Sequence, residues 1–254
     1  MTLSCVNGGG PASRLQLAQV PVAEQELALG EAFAAALAPW QARCGEIVTA
    51  VDPEQLCWRV RLTALGPEVR GVPFDPLPRP AESPLRLSVF QSLPDKERFE
   101  LILQKLTELG VARIVPVETG HSLTRAERDA VQEKSHRWPD VIVRAAKQCR
   151  RAMLPELGDT VPLASVLAEG AAAEVRILCH AGEEHWTLRE ALGSRPLQRV
   201  CLLVGPEGGF SADEVAEARA AGFLPVTFGP RLLRTETAAI AAATLVQGLA
   251  GDLC

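Results

Sequence analysis

The spacing of hydrophobic and polar residues changes character along this chain. In the first part, RLQLAQV (14–20), EIVTAV (46–51) and LCWRVRLTAL (56–65) read as short β pieces. Between the first two lies EQELALGEAFAAALAPWQARCG (24–45), alanine-rich and predicted helical. Then comes VPFDPLPRPAESP, Val72 to Pro84, with five prolines. Proline disfavours both a helix interior and a central strand, so this stretch reads as a linker, with a domain boundary near residue 80. Residues 1–14, MTLSCVNGGGPASR, read as a loose leader without the apolar core of a signal peptide.

After the prolines, strands and helices alternate. LRLSVFQSL (85–93) predicts a strand and DKERFELILQKLTELG (95–110) a helix. Phe99, Ile102, Leu103, Leu106 and Leu109 form an apolar stripe at helical spacing, and Gly110 is placed to end that helix. VARIVPVE (111–118) predicts the next strand, completing a βαβ unit and implying a parallel sheet. VRILCH (175–180), VCLLVG (200–205) and LPVTFG (224–229) predict further strands with helices between them. The expected architecture is an α/β domain over 81–254, with helices on both faces of a sheet, preceded by a smaller domain over 1–80.

Bulk composition narrows the class. A chain of 254 residues with 47% hydrophobic content is ample for a core, and no segment approaches the ~20 apolar residues of a membrane helix. The seven cysteines, Cys5, Cys44, Cys57, Cys149, Cys179, Cys201 and Cys254, contain no C-x-x-C pair. That spacing argues against a zinc site or disulfide framework and fits a reducing, cytoplasmic setting. Net charge is −5, so a nucleic-acid role must rest on a local basic patch. Such a patch lies between Arg125 and Arg151, where Arg125, Arg128, Lys134, Arg137, Arg144, Lys147, Arg150 and Arg151 outnumber their acidic neighbours. If the segment after Pro139 is one helix, Arg144, Lys147 and Arg151 share a face, which is either a solvated surface or a phosphate contact.

The candidate chemistry centres on LLVGPEGGFSADE (202–214). Apolar residues run into Gly205-Pro206-Glu207-Gly208-Gly209, and Ser211 with Glu214 forms the S-x-x-E signature of a helix start. The loop is neither a P-loop nor G-x-G-x-x-G, and it is either a tight turn or a ligand loop at the carboxyl end of a strand. A second segment, GPRLLRTETAAIAAATLVQGL (229–249), ends a strand at Gly229-Pro230 and enters a helix of small residues capped by Thr235 or Thr237. Arg231 and Arg234 flank its two leucines.

GPEGGFSADE, GPRLLRTETAA and QKLTELGVARIVP, in that order, with KQCRRAMLPEL (147–157) as a weaker fourth match, resemble the RsmE family of 16S rRNA (uracil-N3)-methyltransferases in the SPOUT superfamily. The resemblance covers about residues 85–250. It implies a doubly wound parallel sheet with a C-terminal trefoil knot, a PUA-like N-terminal β-barrel and S-adenosylmethionine as cofactor; separately, the cysteine and histidine spacing suggests no metal site. The implied partners are 16S rRNA or the small ribosomal subunit and a second copy of the chain in a homodimer.

By the same resemblance, Leu203, Gly205, Pro206, Glu207, Gly208 and Gly209 contact the cofactor, together with Gly229, Leu232, Leu233, Arg234, Thr235, Thr237 and Ala238. His180, ending its strand, is expected at the mouth of that site. Methyl transfer to uracil N3 needs loss of a proton, so a base and a cation near the developing anion would help. Arg234 is the candidate cation. Glu207 and Glu236 are candidate proton acceptors, or else hold the loops through backbone N–H groups. Lys105, Arg144, Lys147, Gln148 and Arg151 are the candidate RNA-binding residues; Lys105 with Glu108 also reads as a plain surface ion pair.

The N-terminal part departs from the family. LGEAFAAALAPWQARCGEIVTAVD lacks the family's histidine and V-L-R segment, His121 stands where an arginine is common, and the basic residue expected before QKLTELG is displaced to Lys96. These departures touch RNA-facing positions more than cofactor loops. A SPOUT enzyme with another RNA target, or a silent RNA-binding scaffold, therefore stands beside the leading reading.

Overall fold

The computed structural model describes residues 8–124, 126–127, 137–182 and 185–253. Arg125, Arg128 and Lys134 of the basic stretch lie outside the described residues, as do residues 1–7 of the N-terminal segment.

The first part of the chain builds a four-stranded antiparallel sheet from β1 (Leu27–Ala28), β2 (Ile47–Val51), β3 (Cys57–Leu65) and β4 (Val69–Pro76), in the order β1-β4-β3-β2. Helix α1 (Gly30–Leu37) and a short 3-10 turn, Ala38–Trp40, cover one face. Leu15, Phe33, Trp40, Val60 and Leu62 fill the core beneath.

Two expectations for this part are corrected. Val72–Pro76 is not linker but strand. Its prolines are tolerated because the β1 ladder reaches only Gly71 and Arg70; beyond it Glu24 N–H donates to Pro73 O at 2.7 Å, a bond that uses the proline's carbonyl and needs no proline N–H. Residues 10–14 are not loose either. Gly10–Ser13 forms a 3-10 turn, Gly10 N–H donates to Leu154 O at 2.9 Å, and the buried Ser13 hydroxyl accepts from Leu154 N–H at 3.0 Å. RLQLAQV contributes only a bridge, Gln16 to Val51.

The second part is a seven-stranded, all-parallel sheet: β5 (Arg86–Ser92), β6 (Arg113–Glu118), β7 (Glu156–Leu157), β8 (Val161–Pro162), β9 (Val175–Cys179), β10 (Arg199–Val204) and β11 (Leu224–Val226). The order is β11-β9-β10-β5-β6-β7, with β8 continuing along β6. Helices α2 (Lys96–Glu108), α3 (Trp138–Cys149), α4 (Leu163–Gly170), α5 (Leu188–Leu192), α6 (Ala212–Ala220) and α7 (Thr235–Ala250) connect them.

The central strands are mostly apolar because both faces are covered. On β10, Val200, Leu202 and Val204 pack toward α2, α5 and α7, while Cys201 and Leu203 pack toward α4 and α6. Burial pushes the Cys179 and Cys201 thiols up to about 12, as befits space-filling rather than reactive cysteines. Helix α2 starts at an Asp95 cap, whose side chain accepts from Arg98 N–H, and stops before Gly110 at φ +73°. Helix α3 also packs into the N-terminal core through Val143 and Ala146.

Among the described residues no helix is long and apolar enough to cross a membrane. No group of three or more His, Cys, Asp or Glu there is placed to hold a metal.

Candidate active site

The carboxyl ends of β9, β10 and β11 open into a cavity of about 500 Å³, a size suited to a nucleoside-sized ligand. Gly205 to Gly209 form one wall and Leu232 to Thr235 with Ala238 another; His180 also lines it. The two sequence segments therefore meet in space.

Local chemistry shapes the glycine loop. Gly209 N–H donates to Pro206 O at 3.0 Å, closing a turn whose last residue has φ +71°. A Cβ on Gly205 would stand 2.9 Å from the Phe210 ring, whereas one on Gly209 or Gly229 would meet nothing within 4 Å. Of those last two, Gly209 lines the cavity, so the backbone there is open to close approach by a ligand. Ser211 caps α6 in a full capping box with Glu214. The same Glu214 carboxylate accepts Gly120 N–H at 2.7 Å, and His121 Nδ1 lies 3.1 Å from Gly209 O, so the turn after β6 braces the loop.

The second wall is tied to the first by one side chain. The Thr235 hydroxyl donates to Gly205 O at 2.6 Å and accepts from Gln91 Nε2 at 3.0 Å. Neither Thr235 nor Thr237 caps α7: Arg234 is the N-cap residue and gives no side-chain cap. Thr235 is already inside the helix, and its hydroxyl is committed to the neighbouring loop.

Not all of the expected residues line the cavity. Leu203 is fully buried on the opposite face of the sheet, and Val204 lines the cavity instead. Thr237 is exposed and, like Gly229 and Glu236, lies outside the lining. One carboxylate oxygen of Glu236 is buried without a hydrogen-bond partner. Glu207 lines the cavity, but its carboxylate is engaged by Arg98, which also pairs with Asp95 at 3.0 Å. The hydrogen bond that Arg98 donates to Glu207 and the charge of Asp95 hold the Arg98 guanidinium above its ordinary range. By contrast, the Arg234 guanidinium lines the cavity with no hydrogen bond or ion pair among the described residues.

The His180 imidazole is pushed down by partial burial and by the charge of Arg219, which favours the neutral ring. Among the cavity-lining residues, the sequence reading noted Arg231 without assigning it to the site and did not single out Phe210, inside GPEGGFSADE, or Phe228, just before GPRLLRTETAA; it also missed Arg98, the partner of Glu207.

The candidate RNA-binding set is scattered. Arg144 and Gln148 are exposed on α3. Lys147 Nζ bonds Glu46 at 2.8 Å and Gln41 O at 2.9 Å. Lys105 forms the plain surface pair with Glu108 at 2.9 Å. Arg151 does not share the Arg144 face, because α3 ends at Cys149 and Arg150 turns the chain at φ +61°. Its guanidinium is instead 4% exposed, paired with Glu82 at 2.6 Å and donating to Val111 O at 2.7 Å.

Comparison with known proteins agrees with this geometry. The family model for the RNA methyltransferase domain matches residues 81–247. Ribosomal RNA small subunit methyltransferase E of Buchnera aphidicola subsp. Schizaphis graminum is 32% identical over 172 residues, covering 68% of this chain and 69% of that protein. Its counterpart from subsp. Acyrthosiphon pisum is 29% identical over 171 residues, covering 67% of this chain and 66% of the relative. These alignments therefore span about two thirds of each relative's length. A crystal structure of ribosomal RNA small subunit methyltransferase E from Neisseria gonorrhoeae, bound to S-adenosylmethionine, superposes with a TM-score of 0.68 at 29% identity. That superposition covers 95% of this chain and 99% of the other. The chain belongs to the RNA methyltransferase family, alongside the small-subunit methyltransferase E proteins.

Proposed function

We propose that this protein transfers the methyl group of S-adenosylmethionine to N3 of a uridine in the 16S rRNA of the small ribosomal subunit, in the cytoplasm. The carrying observation is the cavity. Two glycine-containing loops converge there on an apolar, nucleoside-sized space with open main chain at Gly209. The residues present suit the cofactor. Leu232, Leu233, Phe228 and Val226 offer apolar walls to an adenine, and the backbone of Gly205 to Gly209 offers hydrogen-bonding groups to the polar remainder. Bound there, the cofactor supplies an already activated methyl group.

The chain's own task is then alignment and charge management. Arg234 stabilises the negative charge that develops on uracil as N3 loses its proton. Of the two candidate proton acceptors, Glu207 borders the cavity and Glu236 does not, so the role falls to Glu207, with Arg98 fixing the carboxylate's position.

The same proposal includes a homodimer, a SPOUT trefoil knot formed by the C-terminal segments, and a PUA-like RNA-engaging unit over residues 1–80. Leu101 on α2 with Leu245 and Leu249 on α7 are exposed large apolar residues, which supports a second copy docking there. The bond from Thr235 to Gly205 supports a tight mutual wrapping of the two loops.

Arg234→Ala tests the mechanism. Methyl transfer to small subunits is expected to fall roughly 10²–10³-fold, with S-adenosylmethionine binding by calorimetry largely kept. Near-normal transfer by the variant removes Arg234 from the chemistry. Mapping the product as anything other than an N3-methylated uridine, or finding binding without turnover, overturns the assigned reaction.

A further inference from the structure

The outer face of the antiparallel sheet carries an arrangement of charge that the cavity does not use. On β3, Trp58, Val60 and Leu62 point into the core, so Arg59 and Arg61 point out. Arg61 stacks its guanidinium 5.2 Å from the centroid of the Phe74 ring on β4. Arg59 stands opposite Thr49 on β2 and donates to its hydroxyl. It also donates to Arg150 O at 3.1 Å, and the Thr49 hydroxyl donates to the same carbonyl at 2.7 Å.

These bonds bring the end of α3 onto the sheet and place the exposed Arg150 side chain beside Arg59. Arg59 is pushed down by partial burial and then by Arg150, while Asp75 opposite it offsets part of that effect. None of the three arginines has an ion pair among the described residues, and Arg59 Nε is buried without a partner. Arg70, on the neighbouring strand, is by contrast paired and meets both Glu26 and Glu68.

Two adjacent arginines, Arg59 and Arg150, with Arg61 stacked on Phe74 two residues along the same strand face, call for an external anion in a chain of net charge −5. Resting on the reading that the substrate is RNA, we infer that Arg59, Arg61 and Arg150, with Phe74, form a docking face for the RNA phosphodiester backbone at the seam between the antiparallel sheet and α3. Arg59 is fixed by internal hydrogen bonds and acts as the anchor. Arg61 and Arg150 are the charges presented to phosphate. Contacts of this kind position the RNA without reading its sequence.

The experiment is the salt dependence of binding to a transcript of small-subunit rRNA. Arg61→Gln/Arg150→Gln leaves Arg59 and its bonds in place, and Arg70→Ala serves as a paired-arginine control. The double variant is expected to lower the slope of log affinity against log salt by roughly 1.4–1.8, about 0.7–0.9 per lost phosphate contact. The control keeps the wild-type slope, and all three proteins bind S-adenosylmethionine equally.

An unchanged slope in the double variant overturns the inference. If the double variant does not fold, Arg150→Gln alone decides, since that side chain makes no hydrogen bond within the described residues; a fall of less than about 0.5 then counts against the face. Methyl transfer with no change of slope leaves the proposed reaction standing and removes this face. A lowered slope in a protein that transfers no methyl group does the reverse, and absence of RNA binding by the wild type ends both.

Discussion

Replacing Thr235 by valine keeps the shape of the side chain and removes only its hydroxyl, which makes the cost of the tie between the two cavity walls measurable. Thr235 is 4% exposed, and its hydroxyl serves Gly205 O and Gln91 Nε2 together. Gln91 is itself fully buried, so the N–H left behind has no water to turn to. An unsatisfied buried group costs about 1–3 kcal/mol. Gly205 is only partly buried, so its carbonyl contributes at the low end, and the sum is roughly 2–4 kcal/mol. For a chain of this size each kcal/mol moves the unfolding midpoint by ~2–4 °C, giving a drop of roughly 4–15 °C.

Cofactor affinity should fall with it. If the loops drift apart by the worth of one hydrogen bond, about 1–1.5 kcal/mol, the dissociation constant rises roughly 5–10-fold. Thr235→Ser is the control that isolates the hydroxyl. It keeps both hydrogen bonds and loses one methyl group, worth about 0.8 kcal/mol. Thermal unfolding and calorimetric titration with S-adenosylmethionine on the three proteins give the comparison. A valine variant that unfolds within a degree or two of wild type and binds cofactor normally would refute the reasoning, as would a serine variant as impaired as valine.

Glu82→Ala should be among the most destabilising single changes outside the apolar core. It strands the Arg151 cation under cover and removes the acceptor of Ala152 and Met153 N–H, with a cost near 3–5 kcal/mol in urea unfolding. The Arg98–Glu207 pair is half exposed, so Arg98→Ala should raise the cofactor dissociation constant by no more than about fivefold, and the charge-reversed pair Arg98→Glu/Glu207→Arg should recover part of it; a hundredfold loss would mean direct ligand contact. His180 binds fewer protons folded than unfolded, since burial and Arg219 push it down. Its contribution to stability is therefore complete above the unfolded value of about 6.5 and is lost as pH falls through that value toward the lower folded one. His180→Asn should lose less stability than wild type between about pH 7 and 5; parallel curves in thermal denaturation would exclude the effect.

What could be read along the chain followed from local chemistry. Helix α2, with its apolar stripe and Gly110 stop, and the Ser211–Glu214 capping box are short-range features and stand as expected. The pairing of the two cavity loops came through the motifs of the resemblance, since neither loop alone required a partner. Other features depended on distant neighbours. Val72–Pro76 is a strand because β1 stops early, which no proline count reveals. Leu203 and Val204 exchanged roles because a strand buried on both faces has no polar residue to mark which side is which. Arg98 sits in the first turn of α2 like any solvated charge, and only the folded chain brings it to Glu207, 109 residues away.

The same distinction governs how an acidic protein meets RNA. Formal charge along a segment overstates what reaches a phosphate, because cations already neutralised inside the protein release few counterions on binding. Lys105, Lys147 and Arg151 each have a carboxylate partner, so three of the five residues expected to face RNA carry charge that is locally cancelled. Gln148 carries none, and Arg144 remains as the exposed, unpaired cation of that set among the described residues. Arg59, Arg61 and Arg150 were dispersed over 92 sequence positions, two of them in a strand that reads simply as alternating; folding gathers them while leaving them without ion pairs. The electrostatic footprint of this chain on RNA is therefore set less by where its basic residues cluster in sequence than by which of them the fold leaves uncompensated. That is why the salt slope, which counts such charges, is the measurement that separates the α3 surface from the sheet face.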